Sequence, residues 1–172
     1  MTVGRIIVFL CVALSLSSCF KEPDFALTPV IEFDSINSQL RLDQFAGLTK
    51  DSVVVTVHFE DGDGDLGYNE VEKELAEQND DFNYLIRPFR KKDGVFTEFE
   101  PPIPLSGYFP SLNTETKPGP IEGMLSYTIE FYHAFSPKFD TLKFEIQLKD
   151  SSGNLSNITE SDEIVLNRIS AL

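Results

Sequence analysis

The sequence predicts an all-β domain, an antiparallel β-sandwich of about seven strands with one short helix in a loop. Several short segments rich in Val, Ile, Phe and Tyr alternate apolar and polar residues with a period of two, the pattern of a half-buried strand. Gly, Pro, Asn and Asp separate these segments, as turns require. The chain also carries 15 Phe and 5 Tyr, which supply a large apolar area to a core. A β-barrel is the alternative architecture.

Three strand segments are predicted before residue 60. Val30 to Phe33 forms the first strand, and Ile36 to Leu42 is either its continuation or a second short strand. Val53 to Phe59 is the clearest segment, because every second residue is Val or Phe. In the charged stretch 69–80, two apolar residues lie one helical turn apart, which predicts at most a short helix within a loop.

The later strands begin with a hairpin. Tyr84 to Arg90 and Val95 to Phe99 flank Asp93-Gly94, a strong hairpin-turn signal. Pro88 predicts that the first of these strands has an edge position or a bulge. The remaining strands are predicted at Leu125 to Phe131, Leu142 to Lys149 and Glu163 to Ile169.

Residues 1–18 are predicted to be an export signal that does not belong to the fold. Arg5 precedes an uncharged apolar stretch, Ile6 to Leu16, which is too short to remain across a bilayer. The stretch ends in Leu16-Ser17-Ser18-Cys19, which resembles the lipobox of bacterial lipoprotein precursors. The resemblance implies that cleavage makes Cys19 the lipid-bearing N-terminus. An ordinary signal peptide that happens to precede a Cys is the alternative.

The predicted lipid anchor divides the rest of the chain into a tether, 19–28, and a sandwich domain, 29–172. Two or three acyl chains hold a protein stably at a membrane while its body stays in water. Lys21-Glu22, followed by Pro23-Asp24, resembles the export signal that sends Bacteroidetes-type lipoproteins to the outer face of the outer membrane. We therefore expect an outer-membrane lipid anchor and exposure at the cell surface, with the periplasmic face as the alternative.

The charge of the chain limits its partners. It has 28 Asp and Glu against 14 Lys and Arg, a net charge of −14. Such a charge repels nucleic acid and anionic lipid head groups and favours cations. Nucleic acid is therefore excluded as a partner, whereas an envelope protein or a glycan remains. Solubility alone is the alternative explanation for most of this charge.

Asp61-Gly62-Asp63-Gly64-Asp65-Leu66-Gly67 predicts a cation site. Three carboxylates at alternate positions, joined by flexible Gly residues, suit Ca²⁺, which accepts six to eight oxygen ligands. If strands 53–59 and 142–149 occupy the second and sixth positions of the sandwich, the loops after them emerge at the same end, and Asn154 lies in the second loop. An acidic, solvated turn is the alternative. The predicted Ca²⁺ ligands are Asp61, Asp63, Asp65, Asp150 and Asn154.

The loop departs from an EF-hand. Asp61, Asp63 and Asp65 match the first three ligand positions of that motif, and Glu72 falls where its bidentate Glu would be. Leu66, however, stands where the EF-hand turn needs Gly, and a strand rather than a helix precedes the loop. The sequence therefore favours a strand-anchored calcium loop.

As a whole, the chain after the signal resembles small Bacteroidetes-type lipoproteins with an immunoglobulin-like, fibronectin-like body. The resemblance rests on Leu16-Ser-Ser-Cys19, on Pro29-Val-Ile-Glu-Phe33 and on the stretch from Asp51-Ser-Val through Phe59-Glu-Asp-Gly-Asp-Gly-Asp-Leu-Gly67. Residues 150–156 resemble the final hairpin of such modules, although the Cys–Trp–Cys pattern of antibody domains is missing. The family implies a sandwich at the surface or in the periplasm and no known reaction.

Three triplets resemble the Asp–Ser/Thr–aliphatic sites at which the same bacteria attach O-linked glycans. They are Asp34-Ser35-Ile36, Asp51-Ser52-Val53 and Asp140-Thr141-Leu142. The resemblance implies O-glycosylation at Ser35, Ser52 and Thr141. The alternative is that Asp-Ser and Asp-Thr pairs simply start strands.

The stretch 100–123 is rich in Pro and Gly and is long for a connection. Long loops on a rigid sandwich often bind ligands, and Tyr108 and Phe109 are the candidate contacts. The alternative is that both residues pin the loop to the core.

Catalytic motifs are missing from the sequence. It contains no Gly-x-Ser-x-Gly elbow, His-Glu-x-x-His helix or phosphate-binding Gly loop, and His58 and His133 lack metal-ligand spacing. We therefore expect a non-enzymatic binding or assembly module of the cell envelope, stabilised by Ca²⁺. The alternatives are a polysaccharide-processing accessory enzyme and a structural subunit of a secretion or uptake complex.

Overall fold

Two antiparallel sheets pack face to face in the computed structural model, which describes residues 23–113 and 117–168. The predicted all-β sandwich with one short helix in a loop is confirmed. The elements in chain order are β1 (Val30–Asp43), β2 (Leu48–Asp61), α1 (Glu70–Glu77), β3 (Tyr84–Lys92), β4 (Val95–Glu98), β5 (Ile121–Tyr132), β6 (Asp140–Leu148), β7 (Thr159–Glu160) and β8 (Ile164–Leu166).

The first sheet has the strand order β1-β2-β5. The two segments predicted near the start of the domain are one strand, β1, whose pairing with β2 shifts at a bulge between Phe33 and Ser35. Along β2 the side chains alternate between the interior and the outer face, so that Val53, Val55 and Val57 are fully buried. The β-branched period-two pattern therefore predicted the central strand of this sheet correctly.

The second sheet has the order β4-β3-β6, and two short strands, β7 and β8, both pair with β6. Asp93 and Gly94 both adopt a positive φ between β3 and β4, as the predicted hairpin turn requires. The predicted edge position of Pro88 is wrong for the strand, because β3 lies between β4 and β6. Pro88 is tolerated there because it lies just beyond the β3 residues that pair with β4.

The predicted closing strand is shorter than expected, because β8 ends at Leu166 and residues 169–172 lie outside the described residues. The two-residue strand β7 was not predicted, since two residues carry no measurable periodicity.

A core of Val, Leu and Ile side chains with several aromatic rings fills the space between the sheets. The ring of Tyr84 in β3 stacks on that of Tyr127 in β5, with 4.2 Å between centroids, and Phe131 in β5 lies 6.2 Å from Phe144 in β6. These contacts place β5 above β3 and the adjoining part of β6. The opposite edge strand, β1, contacts β7 and β8.

The loops after β2 and β6 emerge at the same end of the sandwich, as predicted. Leu66 and Asp150 form a β-bridge between these loops. The segment before β1 also reaches this end, because the Gly62 N–H donates to the Ala26 carbonyl at 2.8 Å. Among the described residues, no helix has the length and apolarity needed to cross a bilayer. The predicted signal 1–18 and Cys19 lie outside the described part of the chain.

Candidate metal centre

The three aspartates of the Gly-rich loop converge on one point. One carboxylate oxygen from each of Asp61, Asp63 and Asp65 lies within 4.8 Å of the other two. Asp61 is the last residue of β2, and its place in the inward-facing row buries its side chain completely. Asp63 and Asp65 follow in the loop and are half-buried. The structure therefore brings together the first three predicted ligands in a group able to hold a metal ion.

Four oxygens of this triad are shielded from solvent and accept no hydrogen bond. They are both carboxylate oxygens of Asp61, Oδ1 of Asp63 and Oδ1 of Asp65. An ionised carboxylate that is buried without a partner costs several kcal/mol, so buried charges are normally paired or bound to a metal. The unpartnered oxygens therefore favour coordination over the alternative of a solvated acidic turn.

The electrostatics of the triad oppose ionisation without a cation. Burial raises the pKa of Asp61 to about 6, and repulsion from Asp63, Asp65 and Asp150 adds to the rise. The Leu66 backbone amide opposes it, although that amide makes no hydrogen bond of ordinary geometry with Asp61. The pKa of Asp63 is also raised, first by burial and then by Asp65. A divalent ion would lower the free-energy cost of ionising both Asp61 and Asp63.

Glycine is required at two positions of the loop. Gly64 has a φ of +72°, and a Cβ there would lie 2.3 Å from the Gly119 carbonyl oxygen. Gly67 has a φ of +97°, and a Cβ there would lie 2.2 Å from the Pro110 carbonyl oxygen. Only Gly combines a left-handed backbone with such close approach. The loop is therefore shaped by its contacts with the long 99–120 connection.

Neighbouring backbone holds the loop on two sides. The Gly119 N–H donates to the Asp63 carbonyl at 3.1 Å, and the Ser151 N–H donates to the Asp65 carbonyl at 3.2 Å. Leu66, the residue that stands where an EF-hand turn needs Gly, is fully buried. The ligand positions are thus set by main-chain contacts before any ion binds, which reduces the ordering cost of binding.

Two serines that sequence reasoning missed orient Asp65. Its Oδ2 accepts hydrogen bonds from the hydroxyls of Ser151 at 3.2 Å and Ser152 at 2.6 Å. Its other oxygen, Oδ1, is the one that remains unpartnered in the triad. Both serines belong to the hairpin that follows β6. The sequence contained them, but only the fold reveals which carboxylate they contact.

Asp150 and Asn154 form a second layer behind the triad. Asp150 is fully buried, and its charge acts on both Asp61 and Asp63. Its Oδ1 accepts the Asn154 N–H at 2.7 Å, and its Oδ2 accepts the Asn154 side-chain amide at 2.9 Å. Asn154 therefore holds Asp150 in place through its N–H groups, and its role as a Ca²⁺ ligand stays a prediction.

Glu72 does not take part in the centre. It completes a capping box at the start of α1, where its carboxylate accepts the Asn69 N–H at 2.8 Å and the Asn69 side chain accepts the Glu72 N–H at 3.0 Å. The carboxylate at the last EF-hand position is thus committed to the helix terminus. This agrees with the strand-anchored loop that the sequence favoured.

Tyr108 and Phe109 connect the long loop to the body. Phe109 is buried in the core, edge-on to Tyr84, and the Tyr108 hydroxyl donates to the Ala76 carbonyl at 3.3 Å. Asn83, fully buried and missed by sequence reasoning, donates to the Phe109 carbonyl and accepts the Phe109 N–H, both at 2.9 Å. These contacts favour the alternative reading, that the two aromatic residues pin the loop.

The candidate glycosylation residues lie within strands. Ser35, Ser52 and Thr141 are half-buried, in β1, β2 and β6. In two of the triplets the Asp is buried: Asp51 contacts His133 at 3.0 Å and Asp140 contacts Arg90 at 2.8 Å. Burial of these aspartates favours a structural role for both triplets. Glycosylation at all three sites stays a prediction.

Replacing Gly62 with Ala is expected to detach the segment before β1. A Cβ at Gly62 would lie 2.5 Å from the Phe25 carbonyl oxygen, so the hydrogen bond to Ala26 cannot form. We expect the free energy of unfolding in urea to fall by about 1 kcal/mol, the net value of one hydrogen bond, and cleavage by protease within 23–29 to accelerate.

Gly119→Ala is the matched control, because a Cβ at Gly119 meets nothing within 4 Å. This variant should unfold within about 0.5 kcal/mol of the wild type. Equal protease sensitivity of both variants would contradict the contact between Gly62 and the segment before β1.

Comparison with known proteins produced no match to this chain among family models, curated proteins or solved structures.

Proposed function

We propose that this protein is a non-enzymatic β-sandwich module that binds or assembles with another component of the cell envelope. A lipid on Cys19 tethers it to the outer membrane. One Ca²⁺, bound by Asp61, Asp63 and Asp65, stabilises it. The observation that carries the calcium assignment is the set of four buried, unpartnered carboxylate oxygens in that triad. The anchor and the binding role rest on the sequence of the export signal and on the family resemblance.

The chemistry of the donors supports Ca²⁺. All donors of the triad are carboxylate oxygens, which hard cations prefer, and the cluster includes no His or Cys of the kind that Zn²⁺ selects. Ca²⁺ accepts six to eight oxygens with flexible geometry, so water would complete the shell begun by the triad. Mg²⁺ demands near-ideal octahedral geometry and dehydrates reluctantly. Ca²⁺ would offset two of the three negative charges of the triad and stiffen the end of the sandwich that the tether joins.

The burial of Asp61 supports cation binding over catalysis. A carboxyl with a raised pKa beside other acids is also the signature of a glycosidase acid, which is the alternative function. A catalytic acid, however, must reach the substrate, whereas both oxygens of Asp61 are shielded from solvent. The geometry therefore favours an ion enclosed by the loop.

Calcium is expected to raise the melting temperature of the full chain relative to EDTA. At 100 times its dissociation constant, Ca²⁺ would add about 2.7 kcal/mol to the free energy of unfolding, which corresponds to about 5–10 °C for a domain of this size. Differential scanning calorimetry in EDTA, in Ca²⁺ and in Mg²⁺ measures the shift. Superimposable melts in EDTA and millimolar Ca²⁺ would remove the metal from the proposed function.

Replacing Cys19 with Ser is expected to release the protein from the membrane. The thioether cannot form on a hydroxyl under the conditions that alkylate a thiol, so incorporation of labelled fatty acid and recovery in the membrane fraction should both be lost. Cys11→Ser is the matched control, because Cys11 lies within the predicted signal. Equal labelling of both variants would refute the anchor at Cys19.

A further inference from the structure

The edges of the two sheets differ in how they are protected. On β1, the Asn157 side chain both accepts the Ile31 N–H and donates to the Ile31 carbonyl, each at 2.8 Å, and the Thr159 hydroxyl accepts the Phe33 N–H at 3.2 Å. The edge strand β4 has only four residues. Strand β5, by contrast, has 12 residues and contains no Lys, Arg or Pro. It lacks the Lys and Pro residues that often prevent an edge strand from pairing with another strand.

The hydrogen-bond pattern identifies which backbone groups of β5 face outward. Ile31 directs its N–H away from β2, toward Asn157. In an antiparallel ladder, Phe59, the residue opposite Ile31, therefore directs its own N–H and C=O toward β5, where it pairs with Gly123. Odd-numbered residues of β5 are thus bonded to β2, and even-numbered residues point to the free edge.

These outward-facing groups are available for pairing. Within residues 23–113 and 117–168, no hydrogen bond reaches the outward backbone groups of the even-numbered residues, and their side chains are exposed. Unpaired backbone groups of this kind face water or a partner. The residues are Glu122, Met124, Ser126, Thr128 and Glu130.

Within the described residues, no strand pairs with the outer edge of β5. Because Tyr127 in β5 stacks on Tyr84 in β3, the next position in the first sheet lies above β4. Val95, whose side chain points toward that position, is 64% exposed. At the end of β4, Glu98, Phe99, Glu100 and Pro101 line a shallow depression of about 520 Å³. One added strand would cover these apolar groups and pair with β5.

We propose that the free edge of β5, above β4, binds one extended segment of another protein, apolar at alternate residues and basic at those between. The segment must be a lone strand, because a second copy of this chain would bring its own β3 and β4 into the space above β4. Glu122 is exposed on the outer face of β5, which is the face that side chains opposite the even-numbered residues would share, so basic side chains at those positions complement it. Strand addition of this type takes its affinity from main-chain hydrogen bonds.

A peptide as long as β5, with alternating lysine and valine, is the probe, titrated into the full chain in non-ionic detergent by fluorescence anisotropy. The control peptide carries backbone N-methyl groups on its two central lysines, which keeps its charge but removes two main-chain donors. We expect the control to bind at least about tenfold more weakly. Equal affinity of the two peptides would show non-specific attraction to the acidic chain and overturn the proposal.

Thr128→Pro tests the same edge on the protein. It removes an outward N–H and leaves the odd-numbered ladder to β2 intact, so we expect folding but loss of peptide binding. Thr128→Ala, which keeps the N–H, should bind like the wild type. Wild-type affinity in Thr128→Pro would overturn the proposal. The proposal would also be overturned if the wild-type chain formed a dimer without peptide and Thr128→Pro did not, because a second copy would then be the occupant of the edge.

This inference rests on the binding role proposed above and not on calcium. Calcium and peptide titrations of the wild-type chain keep the two failures distinct: peptide binding without a calcium response refutes only the metal, and a calcium response without peptide binding refutes only the edge.

Discussion

Replacing Asp61 with Asn is expected to change the free energy of unfolding in opposite directions with and without calcium. In EDTA at pH 7 the variant should be more stable than the wild type. The folded-state pKa of Asp61, about 6, lies above the ordinary value of 3.8, so stability is lost as the pH rises through the folded pKa and the group ionises. A shift of this size corresponds to about 3 kcal/mol, which the neutral amide would recover.

In saturating calcium the order should reverse. The wild type gains about 2.7 kcal/mol at 100 times the dissociation constant, whereas the variant has lost the only ligand with two unpartnered oxygens and should gain little. Urea unfolding of both proteins in EDTA and in Ca²⁺ gives the four free energies. Asp24→Asn, in the exposed segment before β1, is the control for loss of one negative charge. A variant less stable than the wild type in EDTA would refute electrostatic strain in the triad.

Replacing Asn83 with Ala is expected to destabilise the fold by about 3 kcal/mol. The side chain satisfies both the N–H and the carbonyl of Phe109, and each buried group left without a partner costs about 1–3 kcal/mol. Because Phe109 holds the loop that contacts Gly67, calcium affinity should fall as well. Asn37→Ala, an exposed change in β1, should alter stability by less than about 0.5 kcal/mol. Equal free energies of unfolding for Asn83→Ala and Asn37→Ala, measured in urea, would contradict the role of Asn83.

Residue patterns were sufficient for the longer strands and for the triad, because both depend on short-range periodicity. The alternation that buries Val53, Val55 and Val57 continues through Phe59 to Asp61, which makes Asp61 the inward-facing residue at the end of the strand. The shared end of the β2 and β6 loops followed from antiparallel topology. The strand and the triad need no knowledge of distant contacts, whereas the shared end of the loops depended on the sandwich positions assumed for the two strands.

The second layer of the site was not predictable in the same way. The backbone N–H and the side-chain amide of Asn154 both donate to Asp150, four residues away, in a local turn that the sequence did not reveal. Asn83 resembles any turn residue before a strand, and its importance arises from a partner 26 residues later. Such roles depend on which backbone groups the tertiary fold leaves without partners.

The cation site at Asp61, Asp63 and Asp65 is tested most directly by isothermal titration calorimetry. Ca²⁺ is titrated into the EDTA-stripped, dialysed full chain at physiological ionic strength, with Asp61→Asn measured in parallel. We expect one saturable site per chain, much weaker binding of Mg²⁺, and no saturable binding by the variant. Heats that never saturate, or the same isotherm from both proteins, would mean that the acidic loop holds no ion of its own.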